Sequence, residues 1–191
     1  MKDESTRELI VKAADKLFYQ RGYSHTSFSD IADDVKISRG NFYYHFKTKD
    51  DILDAVIHAR LSNLRTLLAK WEAEGKTPVE RICYFARTLI VNQTRIMRSG
   101  CPIGTLWTEL MKLDHESRGQ ASAQFMLFRS WLREQFALLG KESEADILAM
   151  HLLSRTQGVA MLASAFADEA FIQREVDGMC EWVESVARTA S

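Results

Sequence analysis

The run Ser38-Arg39-Gly40-Asn41-Phe42-Tyr43-Tyr44-His45-Phe46 concentrates the residue types that read DNA. Ser38 supplies a hydroxyl able to cap a helix. Arg39 and Asn41, in the first turn, are side chains that hydrogen-bond base edges, and the aromatic residues after them can anchor the helix or touch a phosphate backbone. Phe42 and Phe46 stand four apart and share a face, while Arg39, Asn41, Tyr43 and Tyr44 occupy the rest of the circumference. One face holds such a helix down and the other is open to a groove. Charge is arranged to match. Lys36, Arg39, Lys47 and Lys49 lie between Val35 and Lys49 with no acidic residue among them, whereas Asp30, Asp33 and Asp34 precede this window and Asp50, Asp51 and Asp54 follow it. A net charge of −1 argues against coating nucleic acid through bulk electrostatics, so binding must rest on the local basic window.

Other chemistries lack their residues. A di-iron bundle needs repeated Glu-x-x-His pairs and none occurs; His115-Glu116 continues as Ser117-Arg118-Gly119 and so makes no His-Glu-x-x-His zinc site. Cys83, Cys101 and Cys180 are an odd number at wide spacing, which fits neither a disulfide framework nor a zinc site, and reduced thiols are expected. The sequence predicts no enzyme, metal or cofactor. Cys101, between Gly100 and Pro102 near a helix start, is the thiol whose ionisation a helix dipole could favour, and it carries the alternative of a redox-sensing repressor.

The elements that must position the reading helix follow from periodicity and caps. With 191 residues, 46% hydrophobic and 27% charged, and only two prolines, the chain is expected to be a globular all-α protein. Leu9, Ile10, Ala13, Ala14, Leu17 and Phe18 recur at helical spacing up to Gly22. Thr26 is expected to cap a second helix with Phe28, Ile31, Ala32 and Val35 inward, and the short link Val35-Lys36-Ile37-Ser38 forces a tight turn into the third. Thr48 caps a long fourth helix with Ile52, Leu53, Val56, Ile57, Leu61, Leu64, Leu68 and Trp71 on its apolar face, ending at Gly75. Thr77-Pro78-Val79-Glu80 reads as a capping box opening a helix to Ser99. A short helix from Thr105 to Leu113 follows, with Asp114 capping the next, which carries Phe125, Phe128, Leu132 and Phe136 and stops at Gly140. Ser143 with Asp146 opens the eighth, and Glu169 to Arg188 is the last of about nine helices. The apolar runs are too short to span a membrane, Met1–Ser5 lacks the apolar core of a signal peptide, and a cytoplasmic protein is expected.

The N-terminal segment resembles the bacterial TetR-type transcriptional regulators. The resemblance rests on Gly22-Tyr23, Thr26, Ile31-Ala32, the run from Ser38 to Phe46, Lys47, Lys49 and Asp50-Asp51, and it covers the first quarter to third of the chain. It implies a helix-turn-helix DNA-binding domain over residues 1–47 and a helical effector-binding and dimerisation domain over 48–191. It also implies a regulator, most often a repressor, that holds a palindromic operator as a homodimer and releases it when a small molecule binds. Carried over by position, Arg39, Gly40, Asn41 and Tyr43 face base edges or the groove floor, while Thr26, Ser27, Tyr44, His45 and Lys49 contact phosphates. Ser38 and Lys36 complete the DNA-binding set. Lys36 stands where the family commonly has glycine, and a non-glycine residue there would sit at positive φ at a cost of about 1 kcal/mol.

In the second part, Trp71, Phe85, Met97, Trp107, Met111, Phe125, Met126 and His151 are the candidates for lining a ligand cavity, and most such residues in any helical protein are core. They favour a largely apolar or aromatic effector, with His151 as its polar anchor. The resemblance implies the last two helices as the dimer surface, where Gly158 and Ala165 would permit close approach. Besides operator DNA, a small effector and a second copy of the chain, the remaining alternative is an all-helical protein-interaction module that binds no DNA.

Overall fold

The computed structural model describes residues 5–188, so the first four residues, read above for a signal peptide, and the last three lie outside it. Ten helices and no strand occur among the described residues. They are α1 (Thr6–Arg21), α2 (Phe28–Val35), α3 (Arg39–His45), α4 (Lys49–Glu74), α5 (Pro78–Val91), α6 (Gln93–Ser99), α7 (Pro102–Lys112), α8 (Arg118–Ala137), α9 (Ala145–Phe166) and α10 (Glu169–Arg188). None is long and apolar enough to cross a membrane.

The helix starts show where side-chain chemistry acts. Ser5 and Glu8 form a reciprocal capping box on α1, and Thr48 and Asp51 form another on α4, with Asp51 N–H donating to Thr48 Oγ1 at 3.0 Å and Thr48 N–H to the Asp51 carboxylate at 2.9 Å. Such caps satisfy orphan N–H groups and stabilise by about 1 kcal/mol each. At α5 the Thr77 hydroxyl accepts from Glu80 N–H with Pro78 in the first turn, but the Glu80 carboxylate turns to Lys76 N–H at 2.7 Å rather than to Thr77.

Several boundaries depart from the sequence reading, each for a local reason. α2 is capped by Ser27, whose hydroxyl accepts from Asp30 N–H, and not by Thr26, whose buried hydroxyl donates to Gly22 O at 2.8 Å. The helix expected to run from Pro78 to Ser99 is two, because Asn92 sits at φ −106°, ψ 11° with its side-chain amide bonded to Thr88 O at 2.9 Å. α7 begins at Pro102, earlier than Thr105, since proline needs no N–H partner in a first turn. Asp114 does not cap α8; it takes φ 49° just past α7, with its N–H on Met111 O, and α8 starts at Arg118. Ser143 does not cap α9, which has Glu144 at its N-cap without a side-chain bond, while Asp146 is held bidentately by Arg129 at 2.8 and 2.6 Å.

The chain divides into two compact units. The first comprises the described residues of Met1–Asn63 together with Thr105–Gln124; the second comprises Leu64–Gly104 and the described residues from Phe125 onward. Helices α4, α7 and α8 therefore each contribute a segment to both units. The first core is built on Ile10, Ala14, Leu17, Phe18, Ile31, Phe42, Phe46, Ile52, Leu53, Val56 and Ile57, closed by Leu106, Leu110 and Ala121. Its packing thus reaches beyond the first three helices. The second core gathers the apolar faces of α4 from Leu64, α5, α8, α9 and α10 around Ile82, Leu132, Phe136, Leu152, Ile172 and Val183.

Candidate nucleic-acid interface

The reading helix is held by three devices. Ser38 Oγ accepts from Asn41 N–H at 3.3 Å at its start, Phe42 and Phe46 are 1% and 3% exposed in the first core, and Lys47 Nζ donates to Tyr43 O at 2.6 Å at its end. Phe28 of α2 packs on Phe42 and Tyr43, with ring centroids 5.2 and 5.5 Å apart. What remains outward is Arg39, Gly40, Asn41, Tyr43 and Tyr44, all exposed. The Tyr44 ring stands edge-on to the half-buried His45 at 5.2 Å. The turn before α3 is tight, with Ile37 N–H bonded to Ala32 O at 3.2 Å and Lys36 at φ 60°, ψ 42°, the left-handed conformation that its glycine-like position requires. A Cβ added at Gly40 would meet nothing within 4 Å, so packing within the protein does not ask for glycine there.

The carboxylates flanking the basic window are mostly taken up internally. Asp30 accepts from Ser27 and pairs with Arg21 at 3.4 Å, and Asp34 pairs with Lys16. Asp50 accepts from the Tyr23 hydroxyl and lies 3.3 Å from His115 Nε2, Asp51 caps α4, and Asp54 accepts from Ser117 Oγ at 3.0 Å. The Tyr23 hydroxyl bond holds the Asp50 carboxyl below its usual range against the opposing effect of burial, and burial together with Asp50 pushes the Tyr23 phenol up. Lys36 and Arg39 are both exposed and so leave positive charge open to solvent at the turn and at the start of α3.

Loop Gly22–Ser27 is fixed from α7. Glu109 accepts from Tyr23 N–H at 2.8 Å, from Ser24 N–H at 2.9 Å and from Ser24 Oγ at 2.7 Å. Burial raises the Glu109 carboxyl, but the Ser24 and Tyr23 bonds overcome it and hold the group below its ordinary value. Gly22 is at φ 90°, where a Cβ would stand 3.0 Å from Glu109 Oε1. Nothing in the sequence spacing pointed to Glu109; its partners lie more than eighty residues away.

Not every residue expected at DNA faces outward. The Thr26 side chain is buried, as described. Lys49 sends its ammonium to Tyr23 O at 3.0 Å and Thr26 O at 3.3 Å and sits 4.2 Å over the Tyr23 ring. Two of its three protons are thereby used within the first unit. Ser27 is exposed, its hydroxyl shared with the Asp30 carboxylate.

Of the residues expected to line a ligand cavity, four lie in or against the second core and four do not. Trp71 and Phe85 are buried in the second core against Trp131 and Phe128, at 5.6 and 4.9 Å, and Met97 and Phe125 pack partly buried against it. Trp107 packs on the first core, and Met111 is exposed in that same unit. Met126 is exposed, and His151 lies exposed with its ring 4.7 Å from Trp182. Cys101 heads α7, its Sγ accepting the Gly104 N–H at 3.5 Å.

The profile of the bacterial regulatory proteins of the tetR family matches residues 10–56, the stretch from α1 into α4. An uncharacterized HTH-type transcriptional regulator of Lactococcus lactis is 27% identical over 178 residues, covering 91% of this chain and 90% of that protein. The matched segment is a tetR-type helix-turn-helix. The HTH-type transcriptional repressor DhaR of a Mycobacterium species is 26% identical over 81% of this chain and 80% of its own length. A TetR transcriptional regulator from Legionella pneumophila shares the fold, with a TM-score of 0.83 at 24% identity, over 97% of this chain and 98% of that one. The matched segment and the curated relatives thus point the same way, to a helix-turn-helix of the kind carried by transcriptional regulators.

Proposed function

We propose that this chain is a cytoplasmic TetR-family repressor that holds a palindromic operator as a homodimer and is released by a small, largely apolar or aromatic effector. The observation that carries the DNA half of this reading is the exposure of Arg39, Gly40, Asn41, Tyr43 and Tyr44 on a helix whose Phe42 and Phe46 are buried. Arg39 would take a guanine edge and Asn41 an adenine edge, with Tyr43 against the groove floor. Ser27, Lys36, Tyr44 and His45 would meet phosphates, and Ser38 would position the helix start. Lys49 has one proton left for that task, and Thr26 contributes by shaping the loop. Residues 1–47 would bind DNA, while 48–191 would carry the effector and dimer surfaces.

Dimerisation is supported by an exposed apolar stripe on α9. Ile147, Met161 and Phe166 are 71%, 74% and 74% exposed, and His151, Ser154, Gly158, Leu162 and Ala165 lie exposed along the same helix. A stripe of this kind on one protomer is what a partner's α9 and α10 would cover. Two rigidly spaced reading helices then multiply phosphate contacts that one alone is too small to supply.

Release requires that the effector bind unequally to the DNA-competent and incompetent states, and that the difference be reciprocal. Helices α4, α7 and α8, which contribute to both units, are the elements through which an effector among the second-unit residues would act, and Glu109 of α7 already grips the loop leading to α2. The test is binding of the purified protein to the DNA directly upstream of its own gene and to unrelated DNA across a salt series. Tight binding with a large specificity ratio is expected, followed by release under an effector screen. Failure to select any sequence from a random library would overturn the reading in favour of a protein-interaction module.

A further inference from the structure

The end of α4, the start of α5 and the end of α8 border a cleft of about 520 Å³ that lies wholly within the second unit. Glu72, Glu134 and Glu142 line it with a single cation, Arg81, so its wall carries two net negative charges. Arg81 is fixed by its Nε, which donates to Gly75 O at 2.9 Å, and Glu72 by Trp131, whose indole N–H donates to the carboxylate at 2.8 Å. Glu134 and Glu142 are exposed. Just past α8, Leu138 gives the cleft an apolar side chain that is 63% exposed.

Gln135 adds an independent sign of a ligand. It lines the same cleft, is 2% exposed, and its Oε1 is buried with no hydrogen-bond partner within the protein. Buried carbonyl oxygens are nearly always paired, so an orphan beside a cleft marks a place for a donor that the free chain does not supply. A carboxamide is close to two-fold in shape, and a half-turn about its terminal torsion exchanges oxygen for nitrogen, which lets the acceptor face the cleft when a donor arrives.

An ammonium group on a flexible aliphatic stem satisfies all of these side chains. It offers three donors to carboxylates and carboxamide, and its methylenes can lie along Leu138. A metal ion is a poorer match, because among the described residues no three Asp, Glu, His or Cys side chains are grouped to hold one. Two net charges call for two ammonium groups. We propose that the cleft binds an aliphatic diamine or short polyamine, with Glu134 and Glu142 taking the ammonium groups, Gln135 Oε1 accepting from one of them, and Glu72 adding charge from α4. No residue of α9 or α10 lines the site, so the proposed dimer surface does not include it. The site rests neither on the DNA-binding reading nor on the apolar effector.

The test is calorimetric titration of the full chain with putrescine and with spermidine at constant ionic strength, with n-butylamine and magnesium chloride as controls. The expected result is one saturable site per chain for putrescine and spermidine, with butylamine and magnesium at least about tenfold weaker, since each loses charge-assisted bonds. Glu134→Gln and Glu142→Gln, both at exposed positions, should each weaken putrescine about tenfold, whereas Glu181→Gln, an exposed carboxylate on α10, should leave it unchanged. Gln135→Met keeps the volume and removes the acceptor; it should weaken putrescine several-fold without lowering thermal stability, while a Gln135 that only packs would leave affinity as it was. Unsaturable uptake, equal affinity for butylamine or magnesium, an equal loss in Glu181→Gln, or unchanged affinity in Gln135→Met or in both cleft carboxylate variants would each overturn the proposal. The wild-type selectivity and the two carboxylate variants decide it even if Gln135→Met folds poorly.

Discussion

Arg39, Gly40 and Lys36 illustrate how differently neighbouring residues can serve one surface. Arg39 is exposed at the first position of α3, so its loss should leave folding intact. Arg39→Ala should weaken operator binding by roughly 1–3 kcal/mol while barely changing affinity for unrelated DNA. Titrations against both DNAs check this, and an equal loss on both would reduce Arg39 to a phosphate contact. Gly40 separates fold from function in the opposite way. With open space around its missing Cβ, Gly40→Ala should raise thermal stability by about 0.5–1 kcal/mol through helix propensity, yet lower operator affinity if the groove floor approaches the backbone there. Lys36, held at φ 60°, predicts that Lys36→Gly stabilises the free protein by about 1 kcal/mol in denaturant titrations and reduces the salt slope of DNA binding.

At the scale of elements, the informative contact is α7 on the loop before α2. Glu109 satisfies two backbone N–H groups and a hydroxyl with one carboxylate, and charge-assisted bonds of this kind are the strong ones. Glu109→Gln keeps one acceptor oxygen and should cost about 1–2 kcal/mol of stability together with operator affinity, because the loop it holds leads directly into the α2 cap. The pH dependence follows from the same bonds. The Glu109 and Asp50 carboxyls titrate lower in the folded chain than in the unfolded one. Their contribution is therefore complete above the ordinary carboxylate range, roughly pH 4, and is lost as pH falls through the folded values. Chemical denaturation between neutral pH and pH 3 should show this acid loss, and the slope should be shallower in Glu109→Gln.

For the whole molecule the testable quantity is its state of assembly. The chain mass is 21.9 kDa, and sedimentation of the wild type should give twice that. Met161→Asp places a charge on the exposed α9 stripe and should yield a folded monomer with unchanged helix content and severely reduced operator binding, because half of the phosphate contacts are lost. A Met161→Asp dimer with full affinity would move the interface elsewhere. Measuring both properties on one variant separates loss of assembly from loss of fold.

Local chemistry made much of this protein legible from its sequence. Ser38 as the cap of α3, Phe42 and Phe46 as its buried face, the Thr48 cap, the stop at Gly75, the Glu169 to Arg188 helix and the all-α class all follow from interactions between residues within a few positions of one another. Where two short-range solutions competed, tertiary structure decided. Thr26 and Ser27 are adjacent hydroxyls equally able to cap α2, and burial of Thr26 beneath Gly22 O left the cap to Ser27. Residue type likewise could not separate core from surface or one unit from the other, which is why Trp71 proved to be core, Met126 and His151 exposed, and Trp107 part of the first unit. Contacts between distant positions leave no periodic trace at all. Glu109 on Tyr23 and Ser24, the Asp50 carboxylate beside His115 and Lys49 over Tyr23 exist only because packing brings residues tens of positions apart within contact range.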